Sequence, residues 1–167
     1  MKSMGDNELL QKLSRAANLF RELNLSQIEK IINACEKVSL DADSVLFKEG
    51  SRERDVYILL SGTMKALSRN EQVLITRIKP IRVIGEIGML LGMPRTATII
   101  AEEFVQLLKL PKDKIDALLL RDIDMERKLY RNLCNILCER LVSNNIQIED
   151  YALPAAGEDR SGFDEAV

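Results

Sequence analysis

Histidine and tryptophan are both missing from this chain, and aromatic residues of every kind make up only 4% of its 167 residues. Without histidine, Ser–His and Cys–His nucleophile pairs and histidine-based zinc sites are excluded. Cysteine is scarce too. The three thiols, Cys35, Cys134 and Cys138, cannot all pair within one chain. With no secretion leader in the sequence, they point to a reducing, cytoplasmic setting. No apolar run reaches the ~18 residues of a membrane-spanning helix, so no membrane partner is expected. Neither sign of charge dominates: 24 basic against 26 acidic residues leave a net charge of −2. Such a balance gives no broad footprint for nucleic acid, and none is expected to bind this chain alone. What is present is a hydrophobic fraction of 46%, enough to fill one ordinary core.

Along the chain the texture changes from helical to β-type and back. Leu9, Leu10 and Leu13 predict a short amphipathic helix over 6–17, within an N-terminal helical segment at 1–18. Residues 18–23 read as a turn. A second helix is expected from Ser26, with Glu29 completing a capping box and Ile28, Ile31, Ile32 and Cys35 at helical spacing. Short β-type runs follow at 37–40, 44–48, 55–60, 64–68, 73–78, 82–84, 97–101 and 105–110, punctuated by Gly50, Gly62 and Asn70. That spacing suggests a sandwich or jelly roll. The helical period returns at 112–120, with Ile115, Leu118 and Leu119 inward. A longer helix is expected over 124–149, its stripe formed by Leu129, Leu133, Ile136, Leu137, Leu141, Ile146 and Ile148. That stripe suits packing on the β-structure or against a partner helix. Cys134 and Cys138 read as small buried side chains, since two thiols do not close a zinc site. The Pro- and Gly-containing end, 151–167, reads as a flexible tail. The expected domain is therefore 19–150, with β-structure at about 36–110 and C-terminal helices at about 111–150.

The most informative stretch is Gly85-Glu86-Ile87-Gly88-Met89-Leu90-Leu91-Gly92-Met93-Pro94-Arg95-Thr96-Ala97-Thr98. Small residues before a short helix leave backbone N–H groups uncovered, and with the helix dipole these make a seat for an anion. Arg95 can fold back over that seat and grip a phosphate in a two-pronged contact. Glu86 is an acceptor when ionised, which suits a sugar hydroxyl. Phosphate and hydroxyl together suggest a nucleotide. Taken alone, Arg95 reads equally as a surface residue or a partner for Glu86, Glu102 or Glu103. Arg82 reads as a solvated turn residue.

Gly-Glu, a small residue at Gly88, and Pro-Arg-Thr-Ala at these offsets resemble the phosphate-binding cassette of the cyclic nucleotide-binding domain family. That family includes catabolite activator protein, protein kinase A regulatory subunits and cyclic nucleotide-gated channels. Phe47-Lys48-Glu49-Gly50 and Tyr57-Ile58-Leu59-Leu60-Ser61-Gly62 resemble a second signature of the same family. The resemblance covers about 19–149 and includes no helix-turn-helix. It implies an α+β fold, an eight-stranded antiparallel β-roll (jelly roll, or double-stranded β-helix) flanked by N-terminal helices and two C-terminal helices. It also implies a cAMP or cGMP ligand, with no cofactor, no metal and no catalytic residue. The ligand-binding set would be Gly85, Glu86, Ile87, Gly88, Arg95, Thr96 and Ala97. Arg95 would hold the equatorial phosphate oxygen and Glu86 the ribose 2′-OH, while the amides of Ile87, Gly88 and Thr96 complete the cradle. The Thr96 hydroxyl would bear on the choice between adenine and guanine. Signalling to a protein effector would pass through movement of the C-terminal helices, and in the bacterial activators the last helix is also the seam of a homodimer. The alternatives are a ligand-free β-roll interaction module, or the regulatory fragment of a larger kinase, channel or transcription regulator. The chain departs from the family in the preceding turn. Pro80-Ile81-Arg82-Val83-Ile84 stands where Pro-Gly-x-x-Phe is usual.

Overall fold

The alternation of β-branched and polar residues from Glu36 to Leu110 is realised as eight strands in the computed structural model. The structure describes residues 18–68 and 70–152, with side chains to residue 145. The helix expected over 6–17 and nearly all of the expected tail lie outside the described residues. The strands are β1 (Glu36–Leu40), β2 (Val45–Phe47), β3 (Val56–Ser61), β4 (Met64–Ser68), β5 (Val73–Ile78), β6 (Val83–Ile84), β7 (Thr98–Ala101) and β8 (Val105–Leu110). They form two four-stranded sheets, in the orders β1-β8-β3-β6 and β2-β7-β4-β5. Every pairing is antiparallel. The predicted strands match these within one or two residues, and the α+β fold with an eight-stranded antiparallel roll is the one observed.

Inward-facing residues of both sheets meet in one core: Phe47, Tyr57, Leu59, Met64, Ala66, Ile84, Ile99, Ala101, Val105 and Leu107. Central strand β3 is buried along Val56–Leu59, whereas β5, at the edge of its sheet, exposes Val73, Leu74 and Ile75. Each fully buried aliphatic side chain contributes about 1.5–3 kcal/mol by leaving water, so β3 is worth far more than β5 to the fold. Gly50 and Gly62 take the positive φ expected of their turns, at 81° and 80°.

The helices at either end differ in detail from expectation. Helix α1 (Leu25–Ala34) is capped by Asn24, whose side chain accepts from the Gln27 amide while the Gln27 side chain accepts from Asn24. The capping box thus lies two residues ahead of the Ser26–Glu29 box. The helix buries Gln27, Ile28 and Ile31. Residues 18–20, expected as turn, form a single 3-10 turn that buries Leu19 and Phe20. Helix α2 (Glu86–Leu91) lies within the cassette, followed by α3 (Lys112–Leu119) and α4 (Ile123–Ala152). Helix α4 runs two residues into the stretch expected as tail.

The chain divides after Leu133 into two compact units. In the first, the head of α4 is tied to the N-terminal turn. Buried Asn132 donates to the carbonyls of Leu19 (2.9 Å) and Arg21 (2.7 Å). Gln27 donates to the carboxylates of Asp122 and Asp124. In the second, the described part is the continuing helix from Cys134. Here the expected stripe holds through Ile136, which is buried, and Leu137, which is half-buried, and fails at Leu141, which is exposed; Cys134 and Cys138, expected to be buried, are exposed too. The inward face of a long straight helix is set by what it meets, and the 3- and 4-residue spacing alone does not reveal where that contact ends. Among the described residues no helix is long and apolar enough to cross a membrane.

Candidate functional site

Strand β6 ends at Ile84, and the chain must turn sharply to start α2. Gly85 makes that turn at φ 89°, a conformation an L side chain adopts only at a cost of roughly 1–2 kcal/mol. A Cβ here would overlap the Arg95 guanidinium and lie 2.9 Å from the Asp55 carbonyl oxygen. Gly88, one turn on, would set its Cβ 3.2 Å from Arg95 Nη1. Both glycines therefore make room for one side chain.

That side chain comes from the extended segment between α2 and β7. The Arg95 backbone is fixed on both sides, its N–H donating to Ser51 and its carbonyl accepting from Gly50, each at 2.8 Å. The side chain folds back over the start of α2, as expected, and is only 4% exposed. Nη1 donates to the Gly85 carbonyl (2.9 Å) and Nη2 to the Asp55 carbonyl (2.7 Å). The guanidinium carbon lies 4.1 Å from the centre of the Phe47 ring, a cation–π contact. Among the described residues Arg95 makes no ion pair, and its buried Nε has no hydrogen-bond partner. Burial pushes the guanidinium pKa below its ordinary value, opposed by the fields of Tyr57, Glu53, Asp55 and Glu86. The residue paired with Glu102 is instead Arg77, at 2.9 Å.

Glu86, at the first position of α2, is 2% exposed. A carboxylate at a helix N-terminus is stabilised by the dipole. The structure thus brings Gly85, Glu86, Gly88 and Arg95 together. Ile87 is half-buried, Thr96 is exposed, and Ala97 packs beside the core. Arg82 is exposed, as expected of a solvated turn residue.

The altered turn ahead of the cassette is closed by hydrogen bonds to β3. Ile81 adopts φ 67°. It is held there by its own N–H donating to the Leu59 carbonyl (2.7 Å) and by the Leu59 N–H donating to Arg82 (3.0 Å). A β-branched residue at positive φ is strained, and two bonds to a buried strand impose it.

Sequence reasoning missed Phe47, Glu53 and Asp55 as companions of Arg95. Asp55 has three contacts: its carbonyl accepts from Arg95, its Oδ1 from the Lys112 amide at the start of α3 (2.9 Å), and its Oδ2 lies 3.1 Å from Lys109 Nζ. The bond to Lys112 caps α3, whose N-cap residue Pro111 offers no side-chain acceptor.

A family model described as the cyclic nucleotide-binding domain matches residues 37–122, which contain both sheets, the cassette and α3. The chain belongs to that family. The cyclic nucleotide-binding domain is a regulatory ligand-binding module, and relatives that carry it include a kinase regulatory subunit and whole cGMP-dependent protein kinases. The chain is 26% identical over 117 residues to a cAMP-dependent protein kinase type II regulatory subunit of Drosophila melanogaster, covering 70% of this chain and 30% of that one. It therefore spans less than a third of this relative's length. Among solved structures, the regulatory domain of Toxoplasma gondii PKA with cAMP superposes at TM-score 0.63 and 27% identity, over 70% of this chain and 46% of that one. A cyclic nucleotide-binding domain from Methylobacillus flagellatus KT superposes at TM-score 0.75 over 90% of this chain and 85% of that one. At 20% identity it speaks for the fold alone.

Proposed function

We propose that residues 19–150 bind cAMP, with cGMP the second candidate, through the cassette, and that the chain is a regulatory switch and not an enzyme. One observation carries this reading: a buried guanidinium held by two backbone carbonyls and a ring, with one buried N–H unpartnered, beside a buried carboxylate. An unsatisfied buried donor on a charged group costs more than ~1–3 kcal/mol, and a phosphate oxygen is the acceptor that would repay it. Arg95 takes the phosphate, Glu86 the ribose 2′-OH, and the amides of Ile87, Gly88 and Thr96 the remaining phosphate oxygen. Gly85 shapes the turn and Ala97 leads the chain into β7. The relatives named for cAMP support this ligand class.

The signal passes to a protein effector through α3 and α4. Asp55 joins Arg95 to the first amide of α3, so a shift of the guanidinium is felt at the hinge. Leu120 and Ile123, between α3 and α4, are 86% and 79% exposed. Leu120 lines a cleft of about 240 Å³ together with Asp116, Leu119, Glu126 and Tyr130. Apolar residues left in water at a hinge are the ones a closing movement would cover. A typical coupling of 1–3 kcal/mol requires the ligand to prefer the closed state by that amount. Exposed Leu141 and Val142 on α4 support a homodimer, and three free cysteines support a cytoplasmic setting.

The test is isothermal titration of nucleotide-free protein with cAMP and cGMP, alongside Arg95→Ala. Micromolar or tighter binding to one nucleotide is expected, with affinity falling at least a hundredfold, about 2.7 kcal/mol, in the variant. Absence of binding by the folded wild type would favour the ligand-free interaction module.

A further inference from the structure

Cys134 and Cys138 are one turn apart on α4, and both are exposed. Cys35, by contrast, is half-buried, and that burial pushes its thiol up to about 12. A four-residue step advances ~6 Å along a helix and ~40° around it, so both thiols lie on one face. The same spacing lets two side chains of one helix ligate a single metal ion. Two thiolates are half of a closed tetrahedral zinc site, which takes four. Among the described residues of one chain, no group of three or more potential ligands is placed to hold a metal.

The other half is available by symmetry. Continuing from Cys138, the same face carries Leu141 and Asn145, both exposed. Steps of 4, 3 and 4 assign Cys134 and Leu141 to d positions of a heptad, and Cys138 and Asn145 to a positions. An Asn at one a position fixes register in a parallel two-stranded coiled coil. Exposed Leu141 and its neighbour Val142 supply apolar area for such a seam. A two-fold axis parallel to the helix would bring the d layer of Cys134 and the adjacent a layer of Cys138 from two chains into one tetrad.

We propose that the segment of α4 from Cys134 onward pairs in parallel with the same segment of a second copy, and that the four thiols of Cys134 and Cys138 in the pair bind one thiophilic divalent cation, Zn²⁺ being the best fit. Four thiols release their protons to solvent as the metal binds, and no electron is transferred. The second pair of thiols rests on the homodimer reading. Nucleotide binding does not enter.

The test is titration of the full chain, kept reduced with a non-thiol reductant, with Co²⁺ and then Zn²⁺. Sulfur-to-cobalt absorption and sedimentation are followed together. Expected are an end point of one Co²⁺ per two chains, a four-thiolate tetrahedral spectrum that Zn²⁺ bleaches, and the mass of a dimer. Cys134→Ser and Cys138→Ser should each abolish that end point, while Cys35→Ser keeps it. The variants alter exposed positions, so a matching circular dichroism spectrum checks their fold. A dimer without the cobalt band overturns the metal site and spares the dimer. One metal per chain on a monomer, or an end point that survives Cys134→Ser, overturns the proposal entirely.

Discussion

The cassette and the head of the long helix both hold charged side chains in place, by opposite means. In the cassette Arg95 and Glu86 are buried, and the partners of Arg95 are carbonyl oxygens whose own positions are fixed by β6 and by the loop before β3. At the head of α4, Asp122 is held by the Met125 amide and the buried Gln27 side chain, and the exposed Asp124 by Gln27, Arg127 and Lys128. Buried charges among fixed dipoles have no second arrangement to fall back on, whereas exposed ones exchange their partners for water. Losses in the first region should therefore be large and specific, and losses in the second small and dependent on pH and salt.

The sharpest test of that contrast is Gly85→Ala. The new Cβ meets both the guanidinium and the Asp55 carbonyl at a positive φ. A loss above ~2 kcal/mol in thermal or urea unfolding is expected, together with at least a tenfold drop in nucleotide affinity. If stability falls and affinity does not, Arg95 is not the ligand contact. Next is Asp55→Ala, which uncaps α3 and releases Lys109, at a cost of about 1–2 kcal/mol. Asp55→Asn should recover most of that stability by retaining an acceptor for the Lys112 amide. Denaturant curves of the pair would show whether the cap or the charge matters.

How much of this was legible beforehand follows from distance along the chain. Gly85, Glu86, Gly88 and Arg95 lie within one short stretch, and their spacing is the motif. Phe47 reaches Arg95 through the pairing of β2 with β7, and Asp55 reaches it from the other sheet, so both contacts depend on partners distant in the chain. For α1, both Asn24–Gln27 and Ser26–Glu29 satisfy the capping rule. The chain uses the first, and the Gln27 side chain that completes it also reaches the carboxylates of Asp122 and Asp124. Along α4 the periodicity was legible but the end of its buried face was not. At Ile81 the sequence reads as a lost glycine, and the isoleucine takes a positive φ there because Leu59 bonds to the turn through both its N–H and its carbonyl.

That turn supplies a smaller effect. Ile81→Gly relieves roughly 1–2 kcal/mol of backbone strain and gives back about 0.5–1 kcal/mol in chain entropy, plus part of a half-buried side chain. The unfolding midpoint should move little, within about 1 kcal/mol. A loss above ~2 kcal/mol would mean that the Ile81 side chain, and not the turn, is what holds β6. The smallest effect belongs to the helix head. Hydrogen bonds from Lys128 and Gln27 lower the Asp124 pKa from 3.8 to about 2. A carboxyl depressed by folding contributes stability that is fully present above its ordinary pKa and lost as pH falls. That contribution should disappear between about 4 and 2. In Asp124→Asn the slope of stability against pH in this window should flatten. A slope equal to that of wild type would assign the acid sensitivity to other carboxylates.

The two carbonyls that hold Arg95 also bear on how fast the site works. A long cationic side chain usually loses rotamer freedom when it closes on a ligand, at about 0.5–1.5 kcal/mol, and must often abandon a carboxylate first. Here the fork is already immobilised by folding, and among the described residues it has no ion-pair partner to surrender. Encounter with a nucleotide then requires only a small shift of the gripping residue, and the association rate should stand near the ordinary 10⁵–10⁷ M⁻¹s⁻¹ range or above it. Differences in affinity between one nucleotide and another would appear in how long each stays.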